Sequence, residues 1–287
     1  MLELAAPDFS LRASLSSGQT FRWKEHEGWF YGFLGPTVLK IRQEGDRLLY
    51  ESSDASFAPN RVSRYFALDM DLSEILSSIN VDMQVHRAIM RYRGLRVLRQ
   101  DGWETLASFI CAAFNNIKRI EGMIERICQA YGEPVSLNGF RGFAFPQPEV
   151  IAGVAERKLR TLGLGYRAPY LKATARLVVD RKLPLSQLAR VEYAATKTAL
   201  LACEGVGDKV ADCVALFGFE KYEAFPIDVW MERAMRYYFR HRRMTRKGLH
   251  EYAQRHFGSY AGYAQQYLYH DIRNARITSE RVRERSS

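Results

Sequence analysis

The hydrophobic period of this chain changes once, near Asp69, and that change constrains the fold more than any other feature. Before it, "GQTFRW", "GWFYGFLG", "TVLKIRQEG" and "RLLYESS" are short aromatic and aliphatic runs separated by Gly, Glu and Asp. Such runs predict the strands of an antiparallel meander with one covered face. After it the apolar residues recur at helical spacing. "DLSEILSSI" opens with Asp71 as N-cap and Glu74 three residues later, a capping box. "WETLASFICAAF" sets Leu106, Phe109, Ile110 and Ala113 on one stripe, and Ile117, Ile120, Ile124 and Ile127 continue the pattern. The glycines and prolines of "SLNGFRGFAFPQP" predict a loop. Further helices are expected from about Glu149, Ala168, Pro184, Tyr193, Lys209, Val229 and Tyr260. The fold class is therefore α+β. An N-terminal antiparallel β-sheet domain over residues 1–100 precedes a mainly α-helical domain over residues 101–287.

Charge narrows the partners. The formal net charge is +10 and the pI about 9.5, which points to an acidic partner such as nucleic acid or anionic lipid. Seven Lys or Arg residues and no acid lie between Arg233 and Lys247, as a solvated face or a polyanion contact. The last fifteen residues carry five arginines against two glutamates and are expected to fray. No apolar run approaches membrane-spanning length, and no secretory signal is visible. Cys111, Cys128, Cys203 and Cys213 form no C-x-x-C pair and have no His cluster beside them. They predict neither a zinc site nor an iron–sulfur cluster, but reduced thiols in an intracellular protein. That means cytoplasm and nucleoid in a bacterium, with the nucleus left open.

One stretch carries chemistry. "LACEGVGDKVADCVALFGF", Leu201 to Phe219, spells helix, turn and helix. Gly205 and Gly207 allow a tight reversal, and the second helix's N-terminus suits a phosphate oxygen. Asp208 is the expected N-cap, and Val210, Val214 and Phe217 the buried stripe. Lys209 and Cys213, four residues apart, share a face beside it. Most helix lysines are simply exposed. Here the turn, the positive helix end and an apolar flank all favour a neutral amine, which is a nucleophile. Downstream, "FPIDVW" offers Asp228 as an N-cap, with a catalytic reading only if it faces Lys209 across a cleft.

Together, "GVGDKVADCVALFGF…FPIDVW", "SGQTFRW", "LRQDGWETLASFICAAFNNIKRIEGMIERICQAYG", "LGLGYRAPYL" and "YAGYAQQYL" resemble the 8-oxoguanine DNA glycosylase/AP lyase family. That family belongs to the helix-hairpin-helix base-excision glycosylases. The resemblance spans nearly the whole chain. It implies a bifunctional enzyme that excises 8-oxoguanine from duplex DNA, preferably opposite cytosine, through a lysine Schiff base, and then nicks the strand by β-elimination. Lys209 matches the nucleophile and Asp228 the carboxylate that stabilises the cationic sugar. Gly18 matches the glycine whose carbonyl accepts the N7 hydrogen of the lesion. Gln265 matches the reader of the Watson–Crick edge, and Cys213 and Tyr269 the pair that sandwiches the flipped ring. Arg119 and Arg167 match the arginines that contact the estranged cytosine, with Tyr166 as the wedge in the stack and Asn115 beside them. Gly205 and Gly207 belong to the DNA-binding hairpin. Two positions depart from the pattern: Phe114 replaces an asparagine, and Trp230 replaces a phosphate-contacting histidine. No cofactor is required. The carbonyls of Leu201, Cys203 and Val206 match an optional structural cation site. The partner implied is duplex DNA carrying 8-oxoguanine, bound by a monomer with no membrane role. Two alternatives stay open: a non-catalytic helix-hairpin-helix DNA-binding protein, and a glycosylase for another oxidised purine.

Overall fold

The computed structural model describes residues 1–239 and 244–274. Five antiparallel strands pair in the order β1-β5-β4-β3-β2. They are β1 (Leu2–Ala5), β2 (Lys24–His26), β3 (Trp29–Leu34), β4 (Thr37–Glu44) and β5 (Arg47–Ser52). In the register Ile41 faces both Phe30 and Tyr50. Leu39, Ile41, Leu48 and Tyr50 are fully buried and build a first core with Phe57, Val62 and Phe66. A second, larger core takes in Ala13 and, from Leu72 onward, the helices, so the helices Leu72–Ile79 and Met83–Tyr92 pack with the helical part of the chain.

Local chemistry sets the helix starts. Asp71 accepts hydrogen bonds from the amides of Ser73 and Glu74, as the capping pattern predicts, and Asp82 and Asp101 cap their helices likewise. The structure also departs from the sequence reading. "GQTFRW" is not a strand: only Lys24–His26 pairs with β3, and the preceding loop is held by side chains. A hairpin runs into "SLNGFRGFAFPQP" from two residues before it, β6 (Pro134–Leu137) and β7 (Phe140–Phe143), turned by Asn138 and Gly139 at φ 48° and 83°. Both central residues are left-handed, as a two-residue hairpin demands. Ala113 falls just beyond the Gly102–Ala112 helix. A helix over Arg246–Phe257 was not foreseen. Arg236 and Arg246, from the basic run, both bind Glu232, while residues 240–243 of that run lie outside the described residues. So do residues 275–287, where fraying was expected.

Candidate active site at the hairpin

The hairpin joins the helices Tyr193–Leu201 and Asp208–Phe219. Gly205 sits at φ +80°, and a Cβ there would lie 2.3 Å from the Tyr170 ring, so both the turn and the packing require glycine. The Val206 amide closes the turn on the Cys203 carbonyl at 3.1 Å. Cys203 and Val206 are buried, whereas Leu201 is exposed. Gly207, and not Asp208, occupies the N-cap position, and no side chain caps this helix. Asp208 instead pairs with Lys197 at 3.3 Å. Nothing stands within 4 Å of where a Gly207 side chain would begin. This helix end is therefore uncapped and open beside Gly207, and an uncapped helix N-terminus suits an incoming phosphate.

Beside this helix end lies a narrow pocket with room for about 40 Å3, one or two water molecules. Lys209 is half-buried in its wall, its Nζ 5.0 Å from the centre of the Phe109 ring. Cys213 lies one turn along, and burial pushes its thiol up to about 11 against the opposing pull of the Lys209 charge. Phe217 stacks on Phe109, with centroids 5.7 Å apart. Asp228 caps the helix Val229–Tyr238 through a 2.7 Å bond from the Met231 amide. It also lines the same pocket as Lys209. The capping role is therefore real, and it leaves the carboxylate facing the amine's cavity.

The opposite wall comes from the helix Ala261–Asn274. Gly262 lets it approach closely, since a Cβ there would meet Leu216 at 2.4 Å. It presents Gln265 and Tyr269 to the pocket. Burial pushes the Tyr269 phenol up to about 12, with Asp228 adding to the effect, so it stays neutral. Gln265 Oε1 is buried and accepts no hydrogen bond. An unpaired buried acceptor is costly. Gly18, at φ +83°, completes the lining. Its loop is pinned by Gln19, which donates to the carbonyls of Ser14 and Arg96 and accepts from the Leu98 amide, and by Gln266, which donates to the Ser17 carbonyl at 3.0 Å. Phe109, Phe217, Gln19 and Gln266 escaped the sequence reading as site residues. The phenylalanines have the spacing of ordinary core positions, and the glutamines act through partners distant in sequence.

The residues expected at the opposite base cluster at a second place, but not all are presented outward. Arg167 is buried and donates to the Ala113 carbonyl, through Nε at 3.0 Å and again through Nη2, with its guanidinium 4.3 Å over the Tyr166 ring. The Tyr166 hydroxyl donates to the same carbonyl at 3.3 Å. Asn115, in the loop before the helix Ile117–Tyr131, accepts from the Asn116 amide through Oδ1. Phe114 does the opposite: it is 100% exposed, at φ +51°. Arg119 is exposed, and Trp230 and Tyr166 are about half exposed. Among the described residues, no group of three His, Cys, Asp or Glu is placed to hold a metal ion, and no helix is long and apolar enough to cross a membrane.

The hairpin and pocket define a class, and comparison with known proteins agrees. Residues 107–258 match the HhH-GPD superfamily of base excision DNA repair proteins. Residues 1–106 match the N-terminal domain of 8-oxoguanine DNA glycosylase. A probable N-glycosylase/DNA lyase of Methanothermobacter thermautotrophicus is 31% identical over 96% of both chains. The N-glycosylase/DNA lyase of Saccharomyces cerevisiae is 31% identical over 81% of this chain and 69% of its own. The Clostridium acetobutylicum 8-oxoguanine glycosylase/lyase, solved with double-stranded DNA containing cytosine opposite 8-oxoguanine, superposes with a TM-score of 0.90 at 30% identity, over 96% of this chain and 99% of that one. The chain belongs to the 8-oxoguanine DNA glycosylase family and is an N-glycosylase/DNA lyase of base excision repair.

Proposed function

We propose that the Lys209 amine attacks C1′ of a nucleotide carrying 8-oxoguanine, flipped out of duplex DNA into the pocket. The C1′–N9 bond breaks as the N–C1′ bond forms, and the base leaves with the bonding electrons and gains a proton. Ring opening then gives a Schiff base, and loss of a C2′ proton expels the 3′ phosphate. Asp228 stabilises the positive charge that develops on the sugar as the base departs. The observation that carries this reading is one cavity lined by Lys209, Asp228 and Gln265 together.

Recognition follows from the same lining. The Gly18 carbonyl accepts the N7–H that guanine lacks, and Gln265 supplies the acceptor for the base's Watson–Crick edge. Cys213 and Tyr269, both neutral, sandwich the ring. The open Gly207 amides hold a phosphate, Trp230 meets the backbone nearby, and Arg119 reads cytosine in the opposite strand. A cation on the Leu201, Cys203 and Val206 carbonyls would share the hairpin with that phosphate, although the Cys203 oxygen already accepts the Val206 amide. The enzyme acts as a monomer. Borohydride treatment of protein with lesion-containing duplex should yield a covalent adduct, and Lys209→Gln should abolish adduct, base release and nicking while lesion binding persists. Substantial base release by that variant would overturn the nucleophile assignment.

A further inference from the structure

The helix that carries Lys209 is almost wholly apolar where it meets its neighbours. Val210, Ala211, Val214 and Leu216 are buried. Such contacts are non-directional, so the directional restraints on the helix are the polar bonds at its two ends. At the far end the helix is tied by polar bonds: the Gln100 amide donates to the Phe217 carbonyl at 2.8 Å, and Glu220 pairs with Arg64 and Arg99. At the Lys209 end the polar tie is Asp212.

The Asp212 side chain is 2% exposed and carries no part of the pocket lining. Three donors from two other helices converge on it. The Tyr193 hydroxyl donates to Oδ1 at 2.6 Å, and Lys197 Nζ lies 3.0 Å from that oxygen and 3.2 Å from Oδ2. His250 Nε2 is 3.2 Å from Oδ2 and 3.1 Å from the Tyr193 hydroxyl. Burial and the adjacent Asp212 charge push the Tyr193 phenol upward, which keeps it a donor. Asp208, one turn before, shares Lys197 from the solvent side. A buried carboxylate is tolerated only when so paired, and removal of its charge leaves the donors facing one another.

On helical geometry Asp212 stands about 60° around the axis from Lys209 and about 4.5 Å along it. Cys213 flanks Lys209 on the other side. From these placements we infer that Asp212 is a positioning residue for the glycosylase reaction, fixing the rotation of the Lys209 helix through its bonds to Tyr193, Lys197 and His250. This rests on Lys209 being the nucleophile. A side-chain tip rides about 6 Å or more from the helix axis, so a turn of roughly 10° carries it about 1 Å. Misplacement of about 1 Å costs on the order of a hundredfold in rate.

The test uses Asp212→Asn, which keeps the shape and removes the charge, and Lys197→Met, which removes one partner. Single-turnover base release, adduct formation on a duplex with a preformed abasic site, lesion-duplex Kd and melting temperature are measured for each, well below melting. For Asp212→Asn, base release and adduct formation should fall together by about 10- to 100-fold, with Kd unchanged within about threefold. Adding Lys197→Met should cost little more, because the two act as one unit. Should Asp212→Asn fail to fold, Tyr193→Phe removes a single hydroxyl and should slow both steps severalfold at unchanged Kd. Rates within about threefold of the parent in the folded variant, or strictly additive losses, would overturn the proposal. Lys209→Gln is assayed in parallel. If it still releases base, the nucleophile reading fails. If it is inert while Asp212→Asn runs at full speed, only the positioning role fails.

Discussion

Phe114 offers the sharpest test of how this enzyme meets the strand opposite the lesion. It is wholly exposed and left-handed at φ +51°, and Arg167 and Tyr166 both bond the carbonyl of Ala113 before it. A bulky residue in that conformation costs roughly 1–2 kcal/mol. An exposed ring regains nothing from burial in the free protein. Phe114→Asn should therefore hold or raise the melting temperature, since asparagine tolerates the left-handed region well. On DNA the balance reverses. A ring stacked in the gap left by a flipped base is worth about 1–3 kcal/mol, or roughly 5- to 150-fold in Kd. Phe114→Ala should weaken lesion-duplex binding by about tenfold or more, with no loss of stability. Phenylalanine cannot hydrogen-bond to cytosine, and Arg167 spends Nε and Nη2 on the Ala113 carbonyl, so Arg119 carries most of the reading. One good polar contact gives about 1–3 kcal/mol of discrimination, and about 1.4 kcal/mol suffices for tenfold. Cytosine should thus be preferred over adenine by at least about tenfold. Arg119→Ala should flatten that preference, and Phe114→Asn should sharpen it or leave it alone. Single-turnover excision opposite each of the four bases, with Kd by anisotropy, measures both effects. Equal rates opposite cytosine and adenine in the parent would show that Phe114 has dismantled the reading site. An unchanged Kd in Phe114→Ala would show that the ring never enters the stack.

Two further outcomes follow from the site's geometry and burial. Asp228→Asn keeps an acceptor for the Met231 amide, so stability should hardly change, while single-turnover base release should fall by roughly a hundred- to a thousandfold; a parental rate would leave Asp228 as a cap only. Burial lowers His270 to about 4 from 6.5, so below pH 6.5 the unfolded chain takes up a proton that the folded chain refuses. Stability should then drop by up to about 3 kcal/mol as pH falls toward 4 and be unaffected above pH 7. Urea unfolding across this range should show that slope in the parent and a shallower one in His270→Gln, and equal slopes would discard the assignment.

The strand and helix cadence was legible because each element advertises its own burial pattern, and so was the order of sheet before helices. The errors have identifiable causes. "GQTFRW" has a strand's aromatic content, yet Gln19 bonds carbonyls at Ser14 and Arg96, which no local pattern encodes. The β6–β7 hairpin was hidden by its glycines and prolines, although Asn138-Gly139 is itself a hairpin turn signal. What secures it is distant: Phe140 stacks on Tyr31 of β3, with centroids 4.9 Å apart.

The same distinction runs through the site. Lys209, Gly205 and Asp228 could be picked out because a turn and a cap are local events, written in a few consecutive residues. Their approach to one another was not legible, since it depends on where the helix Ala261–Asn274 and the Gly18 loop close the cavity. Arg167 was legible by position only. Its place in "LGLGYRAPYL" matches a base-contacting arginine, and its guanidinium bonds a carbonyl more than fifty residues earlier, which no local pattern encodes. Arg167 holds that carbonyl through Nε and Nη2, so Nη1 is the part of its fork left to reach a base. The opposite-base panel on Arg119 variants apportions the reading: a cytosine preference that vanishes in Arg119→Ala belongs to Arg119 alone, and one that survives leaves a share to Arg167.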